Sequence, residues 1–137
     1  MTHESCKARV RSAMRNRLGE IRRLWTLYKN DPEARAPDGD CWIEYGLAFD
    51  YVRPGTFKDQ KRGYFRFQIS YGGPSEELRF YCDEMLRPYK IEFWFLDWFD
   101  GAKVTLSGHN LDLMLEIWSD WEETGSVKAL LEKGTKE

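Results

Sequence analysis

The chain has little of what would make a staple, a metal site or a membrane segment. Its 137 residues include only three cysteines, Cys6, Cys41 and Cys82, and two histidines, His3 and His109. The cysteines form no CxxC pair and no closely spaced even-numbered framework. Neither a zinc ribbon nor a disulfide scaffold is therefore expected, and reduced thiols in a cytoplasmic protein fit best. No apolar run approaches the roughly 18 residues of a membrane span, and the charged start MTHESCKARVRS has no signal-peptide core. The expectation is a cytoplasmic protein with no membrane partner, no metal and no cofactor. GxSxG, P-loop, HExxH and EF-hand patterns are missing too, which points away from an enzyme. Repeats and low-complexity tracts are also lacking.

Aromatic residues, by contrast, are plentiful. Phe, Trp and Tyr make up 15% of the chain, with six tryptophans, and 42% of the residues are apolar, enough for a core without staples. Length and composition predict one α+β domain over residues 1–137.

The net charge of -2 hides a division. Residues 1–30 carry eight Lys/Arg against Glu4 and Glu20, while residues 31–137 carry thirteen against twenty-one acids. Such asymmetry fits either a basic helix lying on its own acidic body or a basic element offered to an outside polyanion.

Val10, Met14, Leu18, Ile21, Trp25 and Tyr28 recur at steps of three and four, which predicts a basic amphipathic helix within residues 1–31, ended by Asn30-Asp31-Pro32. The period then changes to two. Cys41 to Val52 alternates as one long strand, followed by Tyr64–Tyr71, Glu77–Cys82, Tyr89–Leu96 and a short fifth strand at Ala102–Leu106. Gly72-Gly73-Pro74 and Asp100-Gly101 read as turns. Leu111, Met114, Leu115, Trp118 and Trp121 restore helical spacing, with Ser107 or Asn110 as a cap and Gly125 as a stop, in a C-terminal helical segment over 108–133. The predicted architecture is an antiparallel meander over 41–106 with an N-terminal and a C-terminal helix packed on it.

Alternation divides the strand residues into two faces. Tyr89, Phe93 and Phe95 belong to the core set. Trp94 and Glu92 belong to the other, beside Trp42, Glu44, Tyr64, Arg66, Gln68, Arg79 and Tyr81. Rings mixed with arginine and carboxylate match the composition of protein-binding hot spots better than an ordinary solvated sheet face. The stretch DWFDG adds Asp97, Trp98 and Asp100; turn chemistry accounts for Asp100, and two carboxylates alone make a poor metal or acid–base site. His109 stands alone and carries no catalytic pattern. The expected partner-binding residues are Trp42, Glu92, Trp94, Asp97, Trp98 and Asp100. A second candidate surface for nucleic acid or an acidic partner comprises Arg11, Arg15, Arg22, Lys58, Lys61 and Arg62, weakened by a sequence pI of about 5.8.

The segments YGLAFDYVRPGTF, GYFRFQISYGGPSEELRFY and IEFWFLDWFDGA, within about residues 42–125, resemble a poorly characterised family of small proteins encoded on bacterial plasmids, phages and other mobile elements. The arginine-rich helix lies outside that resemblance. What it implies is an accessory protein that counters host defences such as restriction or CRISPR systems by binding and blocking a protein. On this reading the partner is a host protein or protein complex, with nucleic acid as the alternative and a homodimer mate left open. The resemblance implies no catalytic residues.

Overall fold

A computed structural model of the chain describes residues 5–135. Helix α1 spans Cys6–Asn30. It starts where the Ser5 hydroxyl accepts a hydrogen bond from the Ala8 N–H at 3.3 Å and stops where the Asp31 N–H bonds the Leu27 carbonyl at 2.9 Å. Its stripe of Val10, Met14, Leu18, Ile21 and Trp25 is buried as the spacing requires, together with Cys6 and Leu24. Five strands follow: β1 Ala48–Val52, β2 Tyr64–Ser70, β3 Ser75–Cys82, β4 Pro88–Asp97 and β5 Asp100–Thr105. They pair antiparallel in chain order, β1-β2-β3-β4-β5, the predicted meander. Helices α2, Gly108–Glu123, and α3, Ser126–Thr135, close the fold, with Gly125 between them at φ +82°. Among the described residues no helix is long and apolar enough to cross a membrane.

The helices gather on one side of the sheet. α1 lies along β4 and β5, α3 touches β1, and α2 sets Trp118 against Phe65 and Phe80 and Trp121 against Phe49 and Phe67. Between the layers Phe65, Leu78, Phe80, Ile91 and Phe93 are fully buried, so the inward set from β2, β3 and β4 is the core as alternation predicts. Aromatic stacking and edge contacts dominate it.

Four expectations need correction. Cys41–Leu47 is not strand: the Tyr45 N–H turns back to the Trp42 carbonyl at 3.0 Å, and Gly46 adopts φ +85°, where a side chain would also strike the Phe67 ring. That turn leaves Ile43 and Leu47 exposed and folds Trp42 inward. Second, the β4–β5 turn is Trp98-Phe99, not Asp100-Gly101; Asp97 pairs with Asp100 and Gly101 lies inside β5, where a Cβ would come within 2.7 Å of the Leu96 side chain. Third, Tyr89, and Tyr71, which the alternation of the Tyr64–Tyr71 strand places on the same face as Phe65, Phe67 and Ile69, stand exposed instead of in the core, because the ladder slips between Tyr81 and Cys82 and between Gln68 and Ser70. Last, Ser107 occupies the α2 N-cap position but its side chain makes no capping bond.

Candidate functional site

Among the described residues no helix lies over the opposite face of the sheet, and the register sets what stands there. One row across the strands reads Asp50, Arg66, Arg79, Glu92 and Thr105, and the next reads Ala48, Gln68, Glu77, Trp94 and Lys103. Side chains directly opposite on antiparallel strands sit close enough to interact, so these rows become a connected layer. Arg66 forks onto Asp50 at 3.1 and 2.7 Å, and Arg79 bonds Glu77 at 2.7 Å. The Arg79 guanidinium also lies 4.0 Å from the Trp94 ring centroid and 4.8 Å from that of Tyr64. Glu92 accepts from the Trp94 indole N–H at 2.9 Å and from Lys103 Nζ at 3.0 Å, with Lys90 Nζ at 3.6 Å. Lys90 lies over Tyr81, 4.5 Å from its centroid.

Lateral packing rather than a covering helix dries this layer. Glu92 is 1% exposed and Glu77 3%, although both belong to the helix-free face, because long cationic stems and rings lie flat over them. Burial pushes the Glu92 carboxyl up, but the hydrogen bonds from Trp94 and Lys103 and the charges of Lys103 and Lys90 outweigh it and hold the group below the usual carboxylate range. Burial raises Tyr64 and Tyr81, the latter to about 12 with help from the Glu92 charge, so both phenols stay protonated donors at neutral pH. The Tyr64 hydroxyl is closed to solvent and has no hydrogen-bond partner among the described residues. A groove of about 450 Å³ runs along β3 on this face, floored by Tyr64, Arg66, Arg79 and Tyr81 and rimmed by Phe57 from the β1–β2 loop and Tyr71 from the β2–β3 turn.

The structure brings together only part of the sequence-predicted site. Glu92 and Trp94 are hydrogen-bonded neighbours on the open face. Trp42 is not there; it is buried on the helix side against Trp25, Phe67 and Trp121, for the turn described above puts its ring on the core. It is withdrawn as a contact residue. Asp97 and Asp100 serve the helix: Arg9 donates to Asp97 at 2.6 Å, and the Asp100 carboxylate accepts the Cys6 backbone N–H at 2.8 Å. A carboxylate at the first turn of α1 satisfies an orphan donor and opposes the positive helix end. Between them, Trp98, 81% exposed, and Phe99, fully exposed, form the hairpin tip. Trp98 sits at φ +59°, an uncommon conformation for a bulky residue but the first central position of a primed hairpin turn.

The basic set also divides. Arg22 donates to the His109 carbonyl and Asn110 at the start of α2, and Arg62 donates to the Tyr89 hydroxyl at 2.9 Å. Arg17 pairs with Glu76 and Glu20, Arg23 with Asp38 and Lys29 with Glu116, so much of the helix charge is met by the acidic body. Arg11 and Arg15 are exposed and make no ion pair among the described residues. Lys58 and Lys61 are exposed on the β1–β2 loop. His3 lies outside the described residues. Among those described, no three His, Cys, Asp or Glu side chains come together as a metal site would require.

Reading the sequence missed Lys103, Phe57 and Tyr71 as parts of this face. Lys103 was recoverable, since alternation in β5 puts it opposite Trp94. Phe57 sits in a loop whose fold-back has no periodic signal, and Tyr71 changes sides only through the bulge. Compared with family models, curated proteins and solved structures, the chain matches none.

Proposed function

We propose that the protein is a non-enzymatic protein-binding module whose helix-free sheet face is its docking surface, with Trp94 at the centre, held in place by Arg79 and the buried Glu92. The observation that carries this reading is that face itself: a preorganised layer of rings and charges with a groove along it, left uncovered by the protein's own helices. Rigid, hydrogen-bonded aromatics and arginines lose little conformational freedom on binding, which is what makes such residues binding hot spots. The finer form of the proposal is a mobile-element inhibitor that blocks a host defence complex; its support is the family resemblance of the aromatic segments. A second copy of this chain is the alternative occupant of the same face.

The test is capture of a partner from a bacterial lysate followed by measured affinity for variants. Trp94→Ala and Lys103→Glu, each shown folded by its melting curve, are expected to weaken binding at least tenfold, while Met85→Ser, on the β3–β4 loop outside the groove lining, leaves it unchanged. Unaltered affinity in both face variants would refute the surface.

Arg11 and Arg15, exposed without ion pairs among the described residues, favour a second reading in which α1 contacts a nucleic-acid backbone. Phosphate contacts release counterions, so that reading requires affinity to fall steeply with salt and to vanish in Arg11→Glu with Arg15→Glu. Salt-insensitive or undetectable binding eliminates it.

A further inference from the structure

We infer that the occupant of the open face is an extended, acidic stretch of polypeptide; the inference rests on the docking reading and specifies its partner. Two observations carry it. The first is a separation of charge by depth. The face holds three carboxylates, Asp50, Glu77 and Glu92, against five cations, Lys58, Arg66, Arg79, Lys90 and Lys103. Glu77 and Glu92 are buried beneath their partners, whereas the Lys90 and Lys103 side chains are 40% and 50% exposed and Lys58 stands in solvent. An approaching molecule therefore meets ammonium groups first, with Asp50, 43% exposed, as the one open carboxylate among these three, on a chain whose net charge is -2. Opposite potentials across an interface steer encounter and discriminate against wrong partners.

Shape is the second. The groove follows β3 from Ser75 to Tyr81, about 20 Å at the rise of an extended strand, and is open to solvent along that length, so an extended chain laid parallel to β3 matches it. A single-stranded nucleic acid would also be extended and anionic, but it gains most of its affinity on such sheets by stacking bases on open rings. Here Arg79 and Lys103 already lie over Trp94, and Lys90 over Tyr81. Carboxylates can use those cations, whereas the rings left open to bases stand only at the rim, Tyr71 and Phe57.

The experiment selects a displayed library of random dodecamer peptides against the full-length protein, then measures the enriched peptides by fluorescence anisotropy beside an oligothymidylate of twelve nucleotides. The expected outcome is enrichment of peptides rich in Asp and Glu. Their affinity should drop about fivefold in Lys90→Gln with Lys103→Gln, the two most exposed cations of the layer. Peptides that require Trp94 yet carry no acidic excess would overturn the acidic-segment inference and leave the docking reading standing. Failure of any enriched peptide to respond to Trp94→Ala would overturn both, and so would oligothymidylate binding this face more tightly than the peptides do.

Discussion

Replacing Glu92 by Gln tests the open-face layer with almost no change of shape. The carboxylate is 1% exposed and holds three partners: the Trp94 indole N–H, Lys103 and Lys90. The amide can still accept from the indole, so what disappears is charge. A hydrogen bond to a charged group contributes about 1.5–3 kcal/mol against about 0.5–1.5 for a neutral one. Because Lys90 and Lys103 regain water at their exposed ends, the loss should stay near 1–2 kcal/mol rather than the larger cost of orphaning a buried charge. For a chain of this size that is about 3–10 °C in melting temperature. The pH dependence has a definite sign. Glu92 is held below the usual carboxylate range in the folded protein, so it contributes stability above its unfolded pKa of about 4.3 and loses that contribution as pH falls through its folded value. Thermal melts followed by circular dichroism should show the full deficit of Glu92→Gln at pH 7, closing below about pH 4 as the native carboxylate takes up its proton. A deficit equal at pH 7 and pH 3, or none at pH 7, would refute the reasoning.

Other perturbations address the rest of the fold. Phe93→Ala removes a ring with no solvent exposure from between β4 and α1 and should cost about 3–5 kcal/mol in urea unfolding. Asp100→Ala removes the acceptor of the Cys6 N–H at the first turn of α1; a loss of about 0.5–2 kcal/mol is expected, read by the same titration and by faster amide exchange at residues 6–9. Burial raises the Cys6 thiol, and burial together with Asp83 and Glu122 pushes Cys82 up to about 12, so at pH 8 iodoacetamide should modify Cys41 well before either. Mass spectrometry of the labelled peptides checks that order.

How far the sequence foretold the molecule depends on the range over which each signal acts. The stripe of α1 and the alternation in β2, β3 and β4 are repeated local signals, and each places its residues where the packing has them. Glu92 and Trp94 share a face for the same reason. Trp42 went astray because alternation ran on through Gly46, a residue whose left-handed backbone ends the strand; a glycine within a strand pattern is the one local sign that was available. Tyr71 and Tyr89 changed sides through bulges, which add a residue without altering composition. The role of Asp97 and Asp100 in fixing the start of α1 joins residues more than 85 positions apart, and no local pattern announces it.

Hydroxyl-radical footprinting of the protein alone and bound to its captured partner puts the central claim to the most direct test, because it reads side-chain exposure residue by residue. The docking account predicts protection of Trp94, Tyr71 and Phe57 around the groove, with Met85 and Ile43 labelled as before. Protection concentrated on the solvent side of α1 or at Met85, with Trp94 labelled equally in both states, would contradict it.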